Sequence, residues 1–153
     1  MDFIVSGLSP DPFVPLYGLP DAALAERRAR RVVVDGPGFP ERIEMRDAEP
    51  GETLLLVNFE HQPADTPYRS SHAVYVREGA TEPWSGDHLP EVLRKRLLSL
   101  RGFSADGSIV DADVAEGRDA DPVIERLLSD PSIAYIHAHY AKPGCYAARI
   151  DRA

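Results

Sequence analysis

The stretch Tyr135-Ile-His-Ala-His-Tyr-Ala-Lys-Pro-Gly-Cys145, preceded by Ile133 and continuing through Ile150, decides how this chain folds. An alternating run, a Lys-Pro-Gly corner and a second apolar run read as a β-hairpin, from Ile133 to Tyr140 and from Cys145 to Ile150. Alternation places Ile133, Tyr135, His137 and His139 on one face and Ala134, Ile136, Ala138 and Tyr140 on the other. Gly144 suits the positive φ that a type II Pro-Gly turn requires. A two-residue or a four-residue loop sends Cys145 to the Tyr140 face. A three-residue loop returns it beside His139 but puts Pro143 at a disfavoured corner, and a bulge would also reverse the parity. The expectation is a cysteine separated from the two histidines by the thickness of a strand.

Upstream, Asp121-Pro122 announces a helix with Val123, Ile124, Leu127 and Leu128 on its buried stripe, stopped at Asp130-Pro131. Ser108 to Val114 alternates as a strand. Leu89 to Leu100 reads as a helix with Leu89, Leu93, Leu97 and Leu100 on one stripe and Arg94-Lys95-Arg96 on its solvated face. Ala73 to Arg77 and the two-sided apolar run Thr53 to Phe59 are strands, the second a central one, and Arg42 to Arg46 reads as a half-exposed strand. Asp21 precedes a short helix over 22–28, Val32 to Val34 favours a strand, and Phe3 to Val5 is the first strand. Between them, Pro10, Pro12, Pro15 and Pro20 keep the chain in a loop lying on the body. Hairpin-like strands with late helices argue for α+β over alternating βαβ. The expected architecture is one domain, 1–153, with a mixed, mostly antiparallel curved sheet, two or three flanking helices and a C-terminal β-hairpin.

With 153 residues, 43% of them hydrophobic and 27% charged, the chain has the means for one packed core. Its net charge of −8 disfavours a general nucleic-acid binder, whose affinity needs clustered Lys and Arg. No apolar run is long enough for a membrane helix, and the opening residues lack a signal-peptide layout, so a cytoplasmic protein is expected. One cysteine forms no internal disulfide.

Two constellations carry chemistry. Pro67-Tyr68-Arg69-Ser70-Ser71-His72 offers a planar guanidinium, two hydroxyls and an imidazole to a small anion. Its structural rival is an Arg69 ion pair with a local acid such as Asp65. The second is His137 and His139, a metal-ligand spacing on a strand that two ligands alone leave incomplete, with His61, His72 and His88 scattered elsewhere. Asp111 and Asp113 share the same spacing. Cys145 beside Lys142 or a histidine would be a nucleophile, while a buried inert thiol is the commoner outcome. The chain holds no phosphate loop, nucleophile elbow or His-Glu-x-x-His helix, so no motif names a cofactor or decides between enzyme and binder. The leading expectation is a polar cleft in which Tyr68, Arg69, Ser70, Ser71 and His72 hold a small anionic ligand and His137 or His139 orients it or exchanges a proton. The alternatives are a non-catalytic interaction module or homodimer, and a transition-metal protein built on His137 and His139.

The segments Arg30-Arg-Val-Val-Val34, Pro37-Gly-Phe-Pro40, Asp47-Ala-Glu-Pro-Gly-Glu52, Tyr68-Arg-Ser-Ser71, Val76-Arg-Glu78, Arg96-Leu-Leu-Ser-Leu-Arg101 and Ala141-Lys-Pro-Gly-Cys145 occur in an order that is familiar. Over essentially its whole length the chain resembles the uncharacterised bacterial family called domain of unknown function 1203. The resemblance implies one complete domain and no particular reaction. It departs from the family pattern at Glu41, where a cysteine is common, and at Tyr140, where Asn is common. The first departure argues against a mechanism using two cysteines.

Overall fold

The computed structural model describes residues 2–153. In chain order the strands are β1 (Phe3–Ser6), β2 (Ala29–Val33), β3 (Pro40–Glu41), β4 (Arg46–Asp47), β5 (Thr53–Gln62), β6 (Ser70–Arg77), β7 (Ser85–Gly86), β8 (Leu97–Phe103), β9 (Ile109–Glu116), β10 (Tyr135–Tyr140) and β11 (Tyr146–Arg152). The helices are α1 (Asp21–Glu26), α2 (Glu91–Arg94) and α3 (Asp121–Ser129). This is the expected α+β arrangement, with the strands divided between two sheets. One runs β7-β1-β11-β10-β8-β9 and the other β2-β5-β6-β3-β4. Pairing is antiparallel except where Glu41 meets Tyr75 in parallel.

The C-terminal hairpin lies in the middle of the six-stranded sheet, with β10 against β8 and β11 against β1. Ile136, Ala138, Ala148 and Ile150 pack under Leu93, Ile124, Leu127 and Leu128. α3 begins at Asp121 with Pro122 in its first turn, where a missing N–H costs nothing. In the five-stranded sheet, Leu55, Val57, Val74 and Val76 pack with Phe13 and Leu16 of the proline-rich passage and Leu24 of α1. Tyr146, from the other sheet, enters this same core. It is one point where the two sheets meet.

Two segments differ from the sequence reading. Leu89 to Leu100 is not one helix: α2 ends at Arg94, and Leu97 opens β8. The leucine spacing fits both periods. Pairing with β9 and β10 settles it, because Leu98 and Leu100 are buried by alternation in an interior strand. The basic run there is largely ion-paired, Arg94 with Asp121 and both Lys95 and Arg96 with Asp47.

Arg42 to Met45 is a turn between two-residue strands. Buried Glu41 holds it, its carboxylate accepting from the backbone N–H groups of Ile43 at 2.7 Å and Glu44 at 2.6 Å. A carboxylate that captures the next backbone donors offers them an alternative to the strand ladder. Met45 completes the turn at φ 55°. Arg42 then points inward, and its Nε donates to the Tyr146 carbonyl at 2.9 Å, tying the sheets together.

Candidate functional site

Where the sheets meet, four histidines converge. β5 carries Leu55, Val57 and Phe59 into the core, and His61 continues that odd-numbered run past an irregularity between Phe59 and Gln62. β6 carries Val74 and Val76 inward, and His72 is next in the same alternation. From the other sheet come His137 and His139 on β10, with Tyr146 on β11 opposite His139. The His61 ring stacks on Tyr146 with centroids 5.0 Å apart and on His72 at 4.8 Å. It meets His139 edge-on at 5.1 Å and His137 at 5.9 Å.

His61, His137 and His139 each offer a ring nitrogen lying within 4.8 Å of those of the other two. All three side chains are buried. Burial lowers their pKa values, to about 4 for His61 and about 3 for His137 and His139, so each ring is neutral near pH 7 and keeps a lone pair. Arg101 adds to the effect, its nearby positive charge opposing protonation of all three.

Neutrality fixes the tautomer of His139. Its Nδ1 lies 3.0 Å from the Gly144 carbonyl oxygen, which only accepts, so Nδ1 carries the proton and Nε2 the lone pair. The hairpin turn supplies that carbonyl. A four-residue loop, Ala141 to Gly144, is closed by Tyr140 N–H donating to the Cys145 carbonyl at 2.9 Å, with Gly144 at φ 80°. His61 Nε2 lies 2.6 Å from His72 Nδ1, so one proton is shared along that line. With the proton on His61 Nε2, its Nδ1 is a free acceptor. His61 Nδ1, His137 Nδ1 and His139 Nε2 are buried and have no hydrogen-bond partner among the described residues.

The residues singled out from sequence separate in space. Ser70 belongs to the cluster, its Oγ 3.4 Å from His61 Nε2, and so does His72, whose ring centre is 5.3 Å from that of His139. Arg69 does not join them. It is held on the surface by Glu60, with Nε and Nη2 each 3.1 Å from a carboxylate oxygen, the ion-pair alternative realised with a different acid. Tyr68 and Ser71 are exposed. Asp111 and Asp113 are both gripped by Arg126 at 2.9 Å, away from the histidines.

Cys145 pairs with Tyr140 and packs against the helix-covered core. Its Sγ accepts from Arg42 Nη2 at 2.9 Å. His61 and His72, scattered in sequence, complete a cluster of which the His-x-His pair is half. The available signal was that each ends an alternating apolar run, Leu55-Val57-Phe59-His61 and His72-Val74-Val76.

Fold and site together define a two-sheet α+β protein with a buried, neutral histidine cluster between its sheets. Residues 38–152 match the family described as "Protein of unknown function (DUF1203)", and the chain belongs to that family. No curated protein and no solved structure matches it. Among the described residues, no helix is long and apolar enough to cross a membrane.

Proposed function

We propose that this protein binds a divalent transition metal through His61, His137 and His139. The observation that carries this reading is that three buried histidines from two sheets each bring a ring nitrogen within 4.8 Å of those of the other two, and each has one buried ring nitrogen without a hydrogen-bond partner among the described residues. Leaving a buried polar atom unsatisfied costs about 1–3 kcal/mol each, and one cation would relieve all three. Neutral imidazole suits zinc, copper, nickel or ferrous iron. A tetrahedral zinc with Zn–N bonds near 2.0–2.1 Å needs nitrogens about 3.3 Å apart, so the rings would close in from the spacing seen here. Gly144 and His72 provide the outer hydrogen bonds that orient His139 and His61, as partners of metal-bound histidines commonly do.

Three protein ligands leave a fourth position open. Arg101, half-buried and with Ser99 at 3.2 Å as its one side-chain acceptor among the described residues, brings a second positive charge near the three histidines. Its field opposes a cation and favours an anion bound to it, so an anionic fourth ligand is part of the reading. A bound metal would supply Lewis acidity or an acidified water. The proposed setting is the cytoplasm.

The test is elemental analysis and calorimetry on protein purified without a histidine tag. The expected result is one equivalent of metal, and a rise in stability with added Zn²⁺ that reaches about 4 kcal/mol at a thousand times Kd. His61→Ala and His139→Ala should each abolish both effects. Substoichiometric metal with no stabilisation by Zn²⁺, Cu²⁺, Ni²⁺ or Fe²⁺ overturns the proposal.

A further inference from the structure

The Tyr140 side of the hairpin borders a cavity of about 520 Å³ that shares no side chain with the histidine cluster. Arg42, Lys95, Arg96 and Lys142 line it, against Glu116 as the only lining carboxylate among the described residues. Asp47 is shared by Lys95 and Arg96. Arg42 is 2% exposed, and its side-chain hydrogen bonds go to the carbonyls of Tyr146 and Pro40 and to Cys145 Sγ. None goes to a carboxylate. A guanidinium has five N–H donors, and these three bonds use one on each nitrogen, so two remain.

A buried, hydrogen-bonded but uncompensated charge at the wall of a cavity attracts a counter-ion. Tyr140 adds an aromatic surface, with the Arg42 and Arg96 guanidinium carbons 4.9 Å and 5.4 Å from its ring centre. Its hydroxyl makes no hydrogen bond among the described residues, and the residue lines the same space. Leu97, Pro143 and Ala73 supply apolar wall.

We propose that this cavity binds a small organic oxyanion, a carboxylate or phosphate monoester attached to an apolar or aromatic body. The oxyanion faces Arg42 and Lys142, and the body packs beside Tyr140 and Pro143. The volume lies within the range of small-molecule sites and exceeds what a bare inorganic ion would fill. Cys145 sits at the wall beside Arg42, and as the only cysteine in the chain it reports occupancy.

Phenyl phosphate is a suitable probe, with phenol and inorganic phosphate as controls, in titration calorimetry at low ionic strength on the full chain. In parallel, the rate at which iodoacetamide modifies Cys145 is followed by intact mass. The expected result is saturable phenyl phosphate binding that protects Cys145 in proportion to occupancy, with both controls much weaker. Lys142→Glu, at the exposed turn and without a packing role, should weaken binding by about tenfold through like-charge repulsion. Arg42→Lys gives a second variant, expected to weaken binding further, and its folding is checked by circular dichroism. Absence of phenyl phosphate binding, binding that leaves the Cys145 rate unchanged, equal affinity in Lys142→Glu, or protection by inorganic phosphate alone overturns the proposal. Removing metal with a chelator should leave the outcome unchanged, which separates it from the histidine site.

Discussion

His139 and Tyr140 are neighbours in sequence, and the environments on their two sides of β10 differ in kind. On the His139 side, burial has removed charge: three imidazoles are held neutral, each with one buried ring nitrogen unpartnered among the described residues. On the Tyr140 side, a charge is kept in the interior. Arg42 stays bonded to two carbonyls and a thiol, with no acid partner among the described residues. A strand separates the two, and the difference teaches that desolvation acts through the proton affinity of each group. An imidazole gives up its proton on burial, whereas a guanidinium is too basic to do so and instead imposes its field on the cavity.

The largest expected effect on this contrast comes from acid. Folded-state pKa values near 3 and 4, below the ordinary 6.5, mean that the unfolded chain binds more protons as pH falls. Stability is therefore full above about pH 6.5 and is lost on acidification toward pH 3–4, by up to about 1.4 kcal/mol per pH unit for each of the three histidines. Urea titrations of metal-free protein at pH 7.5, 6 and 5 check this. A stability flat across that range would mean the rings are solvated.

Ile136→Ala, on the helix-covered side, comes next. It should cost about 2–5 kcal/mol, as truncation of a fully buried aliphatic does. His137→Ala in the metal-free protein should cost less, since it also removes a buried nitrogen that has no partner. Chemical denaturation of the pair measures the difference. Equal costs would show that the two faces are packed alike.

The smallest effect is expected at the turn. Gly144 sits at φ 80° with nothing within 4 Å of where a Cβ would go, so Gly144→Ala meets conformational strain alone. The expected cost is about 1 kcal/mol, read from the denaturation midpoint. A larger loss of Zn²⁺ affinity than of stability would show that the Gly144 carbonyl orients His139.

The hairpin was legible because its alternation and its Lys-Pro-Gly corner are local signals. The same logic put Cys145 on the face opposite the histidines. Leu89 to Leu100 misled because leucines at 89, 93, 97 and 100 satisfy a helical stripe while Leu98 and Leu100 satisfy a strand, and only pairing with β9 and β10 decides between them. The histidine cluster was half legible. Spacing within one strand reveals His137 and His139, whereas their meeting with His61 and His72 depends on how two sheets pack, which no local period encodes. Arg69 was legible in its chemistry but not in its partner, because Glu60 lies nine positions away across a hairpin.

The place of the hairpin in its sheet also bears on how the molecule is made. Beyond its short pairing with β7, β1 gains its full-length partner only when β11 arrives, Phe3 pairing with Arg152, and β8 waits for β10 on one side. The hairpin whose first strand bears His137 and His139 is thus inserted last into the middle of the six-stranded sheet. Until then β1 and β8 expose unpaired edges. Such non-local closure slows folding and lengthens the time in which a nascent chain can pair with a neighbour. Refolding yield should therefore fall with rising protein concentration, while the five-stranded sheet, whose longest strands β5 and β6 form a local hairpin, has the means to assemble early.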